Sequence, residues 1–250
     1  MKNTKQIKTG ARFFVGDINI EKDAILRLPS DVADHAFKAL RLTPEAIMRV
    51  FNKKGCEYTA QILNRTEVKI IEEIRTSVES PLKVTMAQTL VSNEKMRWII
   101  QKATELGVHT ICVFPSERTK KRQNMTQMQK KIEHWNRVII ASCEQCGRGY
   151  IPDIQIFPSF AAYLSQLKDT VENEKKIILT PNSEVQIHDL PTTILEITAA
   201  IGPEGGFTND EITLAKKWGF KEIRLGPRTL RTETAGLGFI AAAQAKWGDL

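Results

Sequence analysis

The chain carries two glycine-containing segments near its C-terminus, Ile201-Gly202-Pro203-Glu204-Gly205-Gly206-Phe207 and Leu225-Gly226-Pro227-Arg228-Thr229-Leu230-Arg231-Thr232-Glu233-Thr234-Ala235. Each segment stands between an apolar run that predicts a strand and a periodic pattern that predicts a helix. Glycine and proline at the end of a strand let the backbone turn sharply and approach a ligand closely. Two such loops in succession predict one pocket that is built largely from main-chain groups.

The region around these loops has the pattern of an α/β domain with a parallel sheet, because apolar runs alternate with longer helical periods. The predicted strands are Val84–Leu90, Thr110–Phe114, Lys176–Thr180, Ile194–Ile201 and Glu222–Leu225. The predicted helices are Glu94–Leu106, one that opens at the capping box Thr208-Asn209-Asp210-Glu211, and one over residues 233–247. Loops that follow the carboxyl ends of parallel strands are the usual ligand sites of such sheets.

The first third of the chain predicts a small β-barrel instead. Its short runs of β-branched and aromatic residues are Arg12–Val15, Ile47–Phe51, Tyr58–Leu63 and Val68–Ile71, with a helical pattern over Asp34–Leu42. Residues 76–81 form a polar segment typical of a linker. The sequence therefore predicts two domains, a barrel over residues 1–76 and an α/β domain over residues 77–250.

Composition narrows the classes of protein. The 250 residues are 42% hydrophobic and 26% charged, which is ordinary for a globular protein. The net charge of +7 favours a polyanionic partner, nucleic acid before an anionic membrane, although such a surplus also serves solubility. We find no apolar run of the ~18–20 residues that a membrane span requires and no secretory signal. These features predict a cytoplasmic protein.

Four cysteines, Cys56, Cys112, Cys143 and Cys146, suggest no disulfide framework. Cys143 and Cys146 have the CxxC spacing of zinc and redox sites. They fall within a helical pattern, however, and no second pair of ligands accompanies them, whereas structural zinc requires four. We therefore predict that no metal is bound and that both cysteines are ordinary helix residues.

The two loops also have chemical signatures of their own. The first lacks the GxGxxG spacing of a dinucleotide site, and no Lys-Ser/Thr follows it as in a P-loop, which disfavours a phosphate-rich ligand. In the second, we expect Thr232 to cap the last helix and Glu233 to complement its dipole. Arg228 and Arg231 are not explained by capping. Cations at such a junction suit an RNA phosphate, a ligand carboxylate or a developing negative charge.

Both loops resemble the C-terminal motifs of the RsmE family, bacterial enzymes that methylate a uridine base of 16S ribosomal RNA at N3. Further similarity lies in Arg12-Phe13-Phe14, in His35 through Leu40-Arg41, in Lys102-Ala103-Thr104-Glu105-Leu106-Gly107-Val108, in Ser116-Glu117-Arg118-Thr119 and in Glu144-Gln145-Cys146-Gly147-Arg148. The resemblance covers most of the chain. Two departures are visible, since Leu42–Ala46 lacks the family's usual Gly-Asp and Cys146 replaces a common serine.

The resemblance implies a SPOUT methyltransferase, with a trefoil-knotted parallel-sheet domain preceded by a small PUA-like β-barrel that binds RNA. Topology rules alone would exclude a knot, so only the resemblance supports it. It further implies a homodimer, 16S rRNA of the small subunit as partner, and S-adenosyl-L-methionine as cofactor. The implied cofactor-binding residues are Thr180, Pro181, Ile201, Gly202, Gly205, Leu225, Gly226 and Leu230.

Position and charge suggest roles for other residues. Arg231 is the first choice to stabilise the uridine anion, Glu204 is the candidate for a polar or base role, and Glu233 is a weaker candidate. The candidate RNA-binding residues are Arg12, His35, Arg41, Arg118 and Arg148. Two alternatives remain open at this point. One is another SPOUT RNA methyltransferase acting on ribose 2′-O or a tRNA base, and the other is a non-catalytic RNA-binding ribosome-assembly protein.

Overall fold

A computed structural model of the chain describes residues 11–53, 55–74, 78–119, 125–167 and 173–250. The chain forms two compact units. Unit 1 contains Met1–Glu79 together with Cys143–Ile151, and unit 2 contains Ser80–Ser142 together with Pro152–Leu250. Residues 143–151 therefore belong with the N-terminal unit by contact, although the sequence boundary at residue 76 assigns them to the second domain. Among the described residues, no helix combines the length and apolar character needed to cross a membrane.

Unit 1 contains a five-stranded sheet. Its strands are β1 (Arg12–Phe14), β2 (Ile25–Arg27), β3 (Ile47–Phe51), β4 (Glu57–Ile62) and β5 (Glu67–Ile74), in the order β1-β3-β4-β5-β2. The β1–β3 pair is parallel and the other pairs are antiparallel. Alternate residues of these strands point into one core, in which Phe13, Val50 and Ala60 are buried. Strand β2 was not predicted; its middle residue is half-buried and the residues on either side of it are exposed.

The helical pattern predicted over Asp34–Leu42 is divided between two short elements. Helix α1 covers Ser30–Asp34, and a π-helical turn covers His35–Ala39. The chain then reaches Arg41 with a φ of +52° and Glu45 with a φ of +69°. Glu45 belongs to Leu42–Ala46, the segment that lacks the family's usual Gly-Asp. Its backbone is left-handed, a conformation that costs a residue with a side chain more free energy than it costs glycine.

Unit 2 contains a six-stranded sheet in which all neighbouring strands are parallel. Its strands are β6 (Lys83–Thr89), β7 (Val108–Phe114), β8 (Asp153–Ile156), β9 (Glu174–Leu179), β10 (Glu196–Ile201) and β11 (Lys221–Ile223), in the order β11-β9-β10-β6-β7-β8. The parallel sheet predicted from the alternating pattern is confirmed. Strand β8 was not predicted, since its four residues alternate between exposed and half-buried positions at the sheet edge.

The α-helices that follow α1 in the described part of the chain are α2 (Asn93–Glu105), α3 (Met125–Cys146), α4 (Phe160–Leu164), α5 (Asn209–Lys217) and α6 (Thr232–Trp247). The predicted capping box of α5 is confirmed: Thr208 Oγ1 accepts the amide of Glu211, and the Glu211 carboxylate accepts the amide of Thr208. Helix α6 approaches β6 closely, because a Cβ at Gly236 would lie 2.5 Å from Met86 Cε. The last helix therefore packs directly against the sheet that ends at the two loops.

Candidate active site

A cavity of about 290 Å³ lies at the carboxyl ends of strands β9, β10 and β11. Its wall contains Leu179–Pro181, Ile201–Glu204 with Gly206, Ile223–Gly226, Arg228–Thr232 and Ala235. Both glycine loops thus line the same pocket, as the sequence predicted. Loops beyond the carboxyl ends of parallel strands are where α/β sheets bind ligands, so the fold and the loop chemistry indicate the same position.

The predicted cofactor residues come together at this pocket, with one exception. Thr180, Pro181, Ile201, Gly202, Leu225, Gly226 and Leu230 line it, and so do both candidate catalytic residues, Glu204 and Arg231. Gly205 is not part of the wall. A Cβ at Gly205 would instead lie 3.4 Å from Cδ of Arg118, on the side of the loop that Arg118 covers.

The first loop is a tight turn that requires glycine. Gly206 has a φ of +69°, and its amide donates to Pro203 O at 2.9 Å. A Cβ at Gly202 would lie 3.1 Å from Phe207 N and 3.2 Å from the Gly206 backbone, so no side chain fits there unless the main chain moves. The close approach of Gly202 to the far side of its own loop explains why this position carries no side chain.

The hydroxyl of Thr232 holds the first loop against helix α6. Thr232 Oγ1 donates to Gly202 O at 2.6 Å and accepts from Gln88 Nε2 at 3.1 Å. The prediction that Thr232 caps α6 is wrong, because Arg231 occupies the N-cap without a side-chain cap and Thr232 is already in the helix. The hydroxyl satisfies a buried loop carbonyl instead of a helix amide. Gln88, at the end of β6, was not recognised in the sequence.

Arg118, a candidate RNA-binding residue, contacts the same loop. Its guanidinium donates to Gly205 O at 2.8 Å and to Phe207 O at 3.5 Å. Phe207 itself is buried, with its ring stacked on Phe160 at a centroid distance of 4.8 Å. The C-terminal end of the loop is therefore anchored in the core, and Arg118 is engaged with main-chain oxygens.

An ion cluster joins the first loop to the start of α6. Lys95 Nζ, from the first turn of α2, lies 3.0 Å from Glu204 Oε1 and 3.3 Å from Glu233 Oε2. The hydrogen bond to Glu204 raises the pKa of Lys95 above its ordinary value, against the lowering by partial burial, and Glu233 adds to the rise. Lys95 is therefore an ammonium ion at neutral pH. No sequence signal marked it, since its partners lie 109 and 138 positions away.

Thr180, at the end of β9, is held by a second ion pair. Its hydroxyl donates to Glu222 Oε2 at 2.9 Å, and Glu222 Oε1 lies 2.6 Å from Lys216 Nζ. The hydrogen bond from Lys216 lowers the pKa of Glu222, against the effect of burial, and Thr180 contributes to the lowering. The carboxylate thus stays ionised and keeps the Thr180 side chain in place at the pocket wall.

The second loop has few such contacts. Within the part of the chain that the structure describes, residues 225–230 form no hydrogen bond or ion pair, and Gly226 has a φ of +76°. Arg228 and Arg231 are exposed, and neither has an ion pair among the described residues. Arg224, which the sequence analysis missed, also lines the pocket, and its Nε is buried without a partner. The loop therefore presents cationic groups that are available to a ligand.

Two of the candidate RNA-binding arginines are buried within unit 1. Arg12 has a side chain that is 8% exposed, and its guanidinium bonds Glu57 at 2.7 Å, Cys143 O at 2.7 Å and Arg148 O at 3.2 Å. The side chain of Arg148 is 6% exposed and lies 2.8 Å from Glu79. Both guanidinium groups therefore stabilise unit 1 through buried contacts. An RNA phosphate could reach them only if their bonds to Glu57, Glu79 and the main chain were broken.

The other two candidates of unit 1 are exposed. Arg41 extends from the segment after the π-helical turn, and His35 packs edge-on against Phe13 with ring centroids 5.4 Å apart. Arg27 and Lys53 are also exposed in this unit. The predicted RNA-binding set is therefore divided by burial, with Arg41 and His35 accessible and Arg12 and Arg148 enclosed.

Comparison with known proteins gives the family. A model of the RNA methyltransferase domain matches residues 78–244. Ribosomal RNA small subunit methyltransferase E of Buchnera aphidicola (subsp. Schizaphis graminum) is 37% identical over 235 residues, which cover 92% of this chain and 94% of that protein. The chain belongs to the RsmE family. The protein of the same name from Bacillus subtilis is 30% identical over 196 residues, 75% of each chain.

Solved structures of this family have the same fold. A ribosomal RNA small subunit methyltransferase E from Neisseria gonorrhoeae, bound to S-adenosyl methionine, has a TM-score of 0.88 at 32% identity and covers 96% of this chain and 99% of its own. A Legionella pneumophila methyltransferase in complex with the same cofactor has the same scores and coverage. The α/β class implied by the resemblance is confirmed, with a parallel-sheet domain preceded by a smaller β-sheet unit. The trefoil knot and the PUA-like barrel remain predictions of the resemblance.

Of the two cysteines of the CxxC pair, Cys143 is buried and Cys146 is half-buried. Burial raises the pKa of the Cys143 thiol to about 12, although the positive charge of Arg148 partly opposes this. Cys143 Sγ donates to Tyr150 O at 3.5 Å. Within the described ranges, no three side chains of His, Cys, Asp or Glu come together as a metal site. The raised pKa disfavours the thiolate of Cys143, which is the nucleophilic form of cysteine.

Proposed function

We propose that this protein transfers a methyl group from S-adenosyl-L-methionine to N3 of a specific uridine in the 16S rRNA of the small ribosomal subunit. The observation that carries the proposal is the pocket at the carboxyl ends of β9–β11, where two glycine loops meet beside Glu204 and Arg231. Relatives named as small-subunit rRNA methyltransferases support the substrate, and the cofactor in the Neisseria gonorrhoeae structure supports the methyl donor.

The pocket suits this cofactor chemically. Apolar side chains of its wall, such as Ile201, Leu225 and Leu230, can cover an adenine ring, while the main-chain groups of the loops can bind the polar edges. Neither loop has the phosphate-binding spacing that a nucleotide would need. Bound at this site, S-adenosyl-L-methionine would supply an electrophilic methyl group on a sulfonium centre. We assign its binding to the seven predicted residues that line the pocket, Thr180, Pro181, Ile201, Gly202, Leu225, Gly226 and Leu230, and not to Gly205.

The reaction requires that N3 of uridine lose its proton. In the balanced step, the N3–C bond forms as the C–S bond breaks, the C–S electron pair remains on sulfur, and the N3 proton passes to a base. A general base typically contributes ~10²–10⁴-fold to such a step. We assign the base role to Glu204, because its carboxylate is the acidic group of the pocket wall.

We assign anion stabilisation to Arg231. Its guanidinium is exposed at the wall of the pocket, and it forms no ion pair with any described residue, so its charge is available to the uridine anion. A cation that faces developing negative charge acts in the transition state more than in the ground state. Arg231 should therefore contribute to the rate of methyl transfer and little to cofactor affinity.

RNA binding is assigned to the N-terminal domain, residues 1–76, and methyl transfer to residues 77–250. Arg41 and His35 are the accessible members of the predicted RNA-binding set. Arg118 remains a candidate through the exposed part of its side chain, whereas Arg12 and Arg148 contribute by supporting the unit that carries the surface. We propose further that the protein is a cytoplasmic homodimer, as the resemblance implies; sedimentation of the purified chain tests that state.

A methyl-transfer assay tests the function. Unmodified small ribosomal subunits and free 16S rRNA are each incubated with the protein and labelled S-adenosyl-L-methionine, and the digested RNA is examined by nucleoside mass spectrometry. We expect 3-methyluridine. A 2′-O-methyl or another base product would contradict the assigned reaction. RNA binding without methyl incorporation would indicate a binding protein instead.

A further inference from the structure

We propose that Lys95 is a positioning residue for methyl transfer, which holds the Glu204 carboxylate at the pocket through an ammonium group that Glu204 shares with Glu233. The inference rests on the proposed function, because it concerns how the assigned base is held. Lys95 lies on helix α2, outside the pocket wall, and acts through Glu204 rather than on the substrate.

The geometry places one cation between two anions. Lys95 Nζ is 3.0 Å from Glu204 Oε1 and 3.3 Å from Glu233 Oε2, so two carboxylates from different segments converge on one ammonium group. The side chains of Glu233, Lys95 and Glu204 are 16%, 28% and 35% exposed, so solvent screens the Lys95–Glu233 contact less than it screens a surface pair, and it screens the Lys95–Glu204 contact more than the Lys95–Glu233 contact. Without Lys95, the two carboxylates would lose the cation that they share and would repel each other, which should displace the Glu204 side chain.

The main chain of the first loop does not depend on Lys95. Thr232 binds Gly202 O at 2.6 Å, Arg118 binds Gly205 O at 2.8 Å, and the buried ring of Phe207 anchors the end of the loop. These contacts hold the backbone that lines the pocket on both sides of Glu204. Loss of Lys95 should therefore displace one side chain and leave the cofactor-binding backbone in place.

This separation gives a specific kinetic expectation. Displacement of a reacting group by about 1 Å can cost about 10²-fold in rate, so Lys95→Met should lower kcat by about 10- to 100-fold. The dissociation constant of S-adenosyl-L-methionine, measured by calorimetry, should stay within about threefold of wild type. Lys95 lies outside the pocket wall, so its loss leaves the backbone that binds the cofactor in place. Lys95→Arg keeps a cation between the carboxylates and should recover most of the lost rate.

A double-mutant cycle distinguishes a positioning role of Lys95 from general damage to the enzyme. Glu204→Gln removes the carboxylate through which Lys95 acts, so adding Lys95→Met to it should cause little further loss. If the two effects on kcat multiply, Lys95 acts independently of Glu204 and the proposal is overturned. The matched control is Lys83→Met, which breaks one ion pair with Glu196 at 2.8 Å at the start of β6 and should leave kcat unchanged.

The assay uses the full-length chain with unmodified small subunits and reads out 3-methyluridine. Absence of that product from the wild-type reaction contradicts the proposed function. A wild-type product together with normal kcat in Lys95→Met contradicts the role of Lys95 alone. Loss of cofactor binding in Lys95→Met would mean that Lys95 supports the pocket itself, and it would also overturn the proposal. This holds whether or not the circular dichroism spectrum of the variant changes.

Discussion

The two glycine loops of the pocket are held in different ways. The first, residues 202–207, is bound by three side chains from outside the loop, those of Thr232, Arg118 and Lys95, and its last residue is buried in the core. The second, residues 225–230, has no hydrogen bond or ion pair within the described part of the chain. Both loops line the same cavity, yet only the first is fixed by the rest of unit 2.

This difference separates two tasks. A loop that is fixed during folding has already lost its conformational entropy, so it can place a carboxylate and main-chain groups without further cost when a ligand binds. A loop without fixed partners loses that entropy only on binding, but its cations stay free for a ligand. We therefore expect the first loop to provide geometry and the second to provide charge.

The largest expected effect tests the charge of the second loop. Arg231→Ala should lower kcat by about 10²–10³-fold, the usual cost of removing a group that stabilises transition-state charge, and should leave the cofactor dissociation constant nearly unchanged. Steady-state methyl transfer and calorimetry measure the two quantities. Arg228→Ala, three residues earlier in the same loop, is the matched comparison and should cost less than Arg231→Ala. Equal losses in both variants would contradict a specific role for Arg231.

The next effect tests the geometry of the first loop. Gly202→Ala places a Cβ 3.1 Å from Phe207 N, so the loop must open, and the affinity for S-adenosyl-L-methionine should fall by about 10-fold or more, ~1.4 kcal/mol. Gly238→Ala is the control, because a Cβ there meets no atom within 4 Å apart from its own stretch of helix. That substitution in helix α6 should be neutral or stabilise the protein by up to ~1 kcal/mol. Unchanged cofactor affinity in Gly202→Ala would show that the loop tolerates the displacement.

A smaller effect tests the contact that ties the first loop to α6. Thr232→Val keeps the shape of the side chain but removes the hydroxyl that binds Gly202 O, and it takes one of two acceptors from the Gln88 amide, which keeps Thr89 O. The free energy of unfolding should fall by about 1–3 kcal/mol, as measured by denaturant titration. Thr234→Val, an exposed position in the same helix, should change it by less than about 0.5 kcal/mol. Equal stability of the two variants would mean that the hydroxyl does not hold the loop.

The pocket could be predicted from the sequence because its signals are local. Glycine and proline next to an apolar run mark a strand end at any position, and the capping box at Thr208 needs only four residues. Lys95 and Gln88 could not be found in this way, since their partners lie 109 and 144 positions away. Side-chain contacts at such separations depend on the finished topology, which no local pattern encodes.

Burial was the second property that the sequence did not reveal. Arg12 and Arg41 are both basic residues in the first 50 positions, and net charge favours an RNA contact for each equally. The structure distinguishes them, because Arg12 lies against Glu57 inside the unit whereas Arg41 is exposed. The carboxylate of Glu57, which lies 45 positions away and faces the inside of the unit, determines the role of Arg12. This pairing cannot be predicted from composition.

The smallest expected effect compares the two loops directly. Amides of the second loop should exchange with deuterium rapidly in the free protein, since residues 225–230 have no hydrogen bond to any residue that the structure describes. They should slow by about 3- to 10-fold when S-adenosyl-L-methionine binds. Amides of residues 204–207 should change less, because that loop is already held. Peptide-resolved mass spectrometry measures both, with helix α5 as an internal reference. Equal slowing of the two loops would show that cofactor binding, and not the contacts of Thr232 and Arg118, orders the first loop.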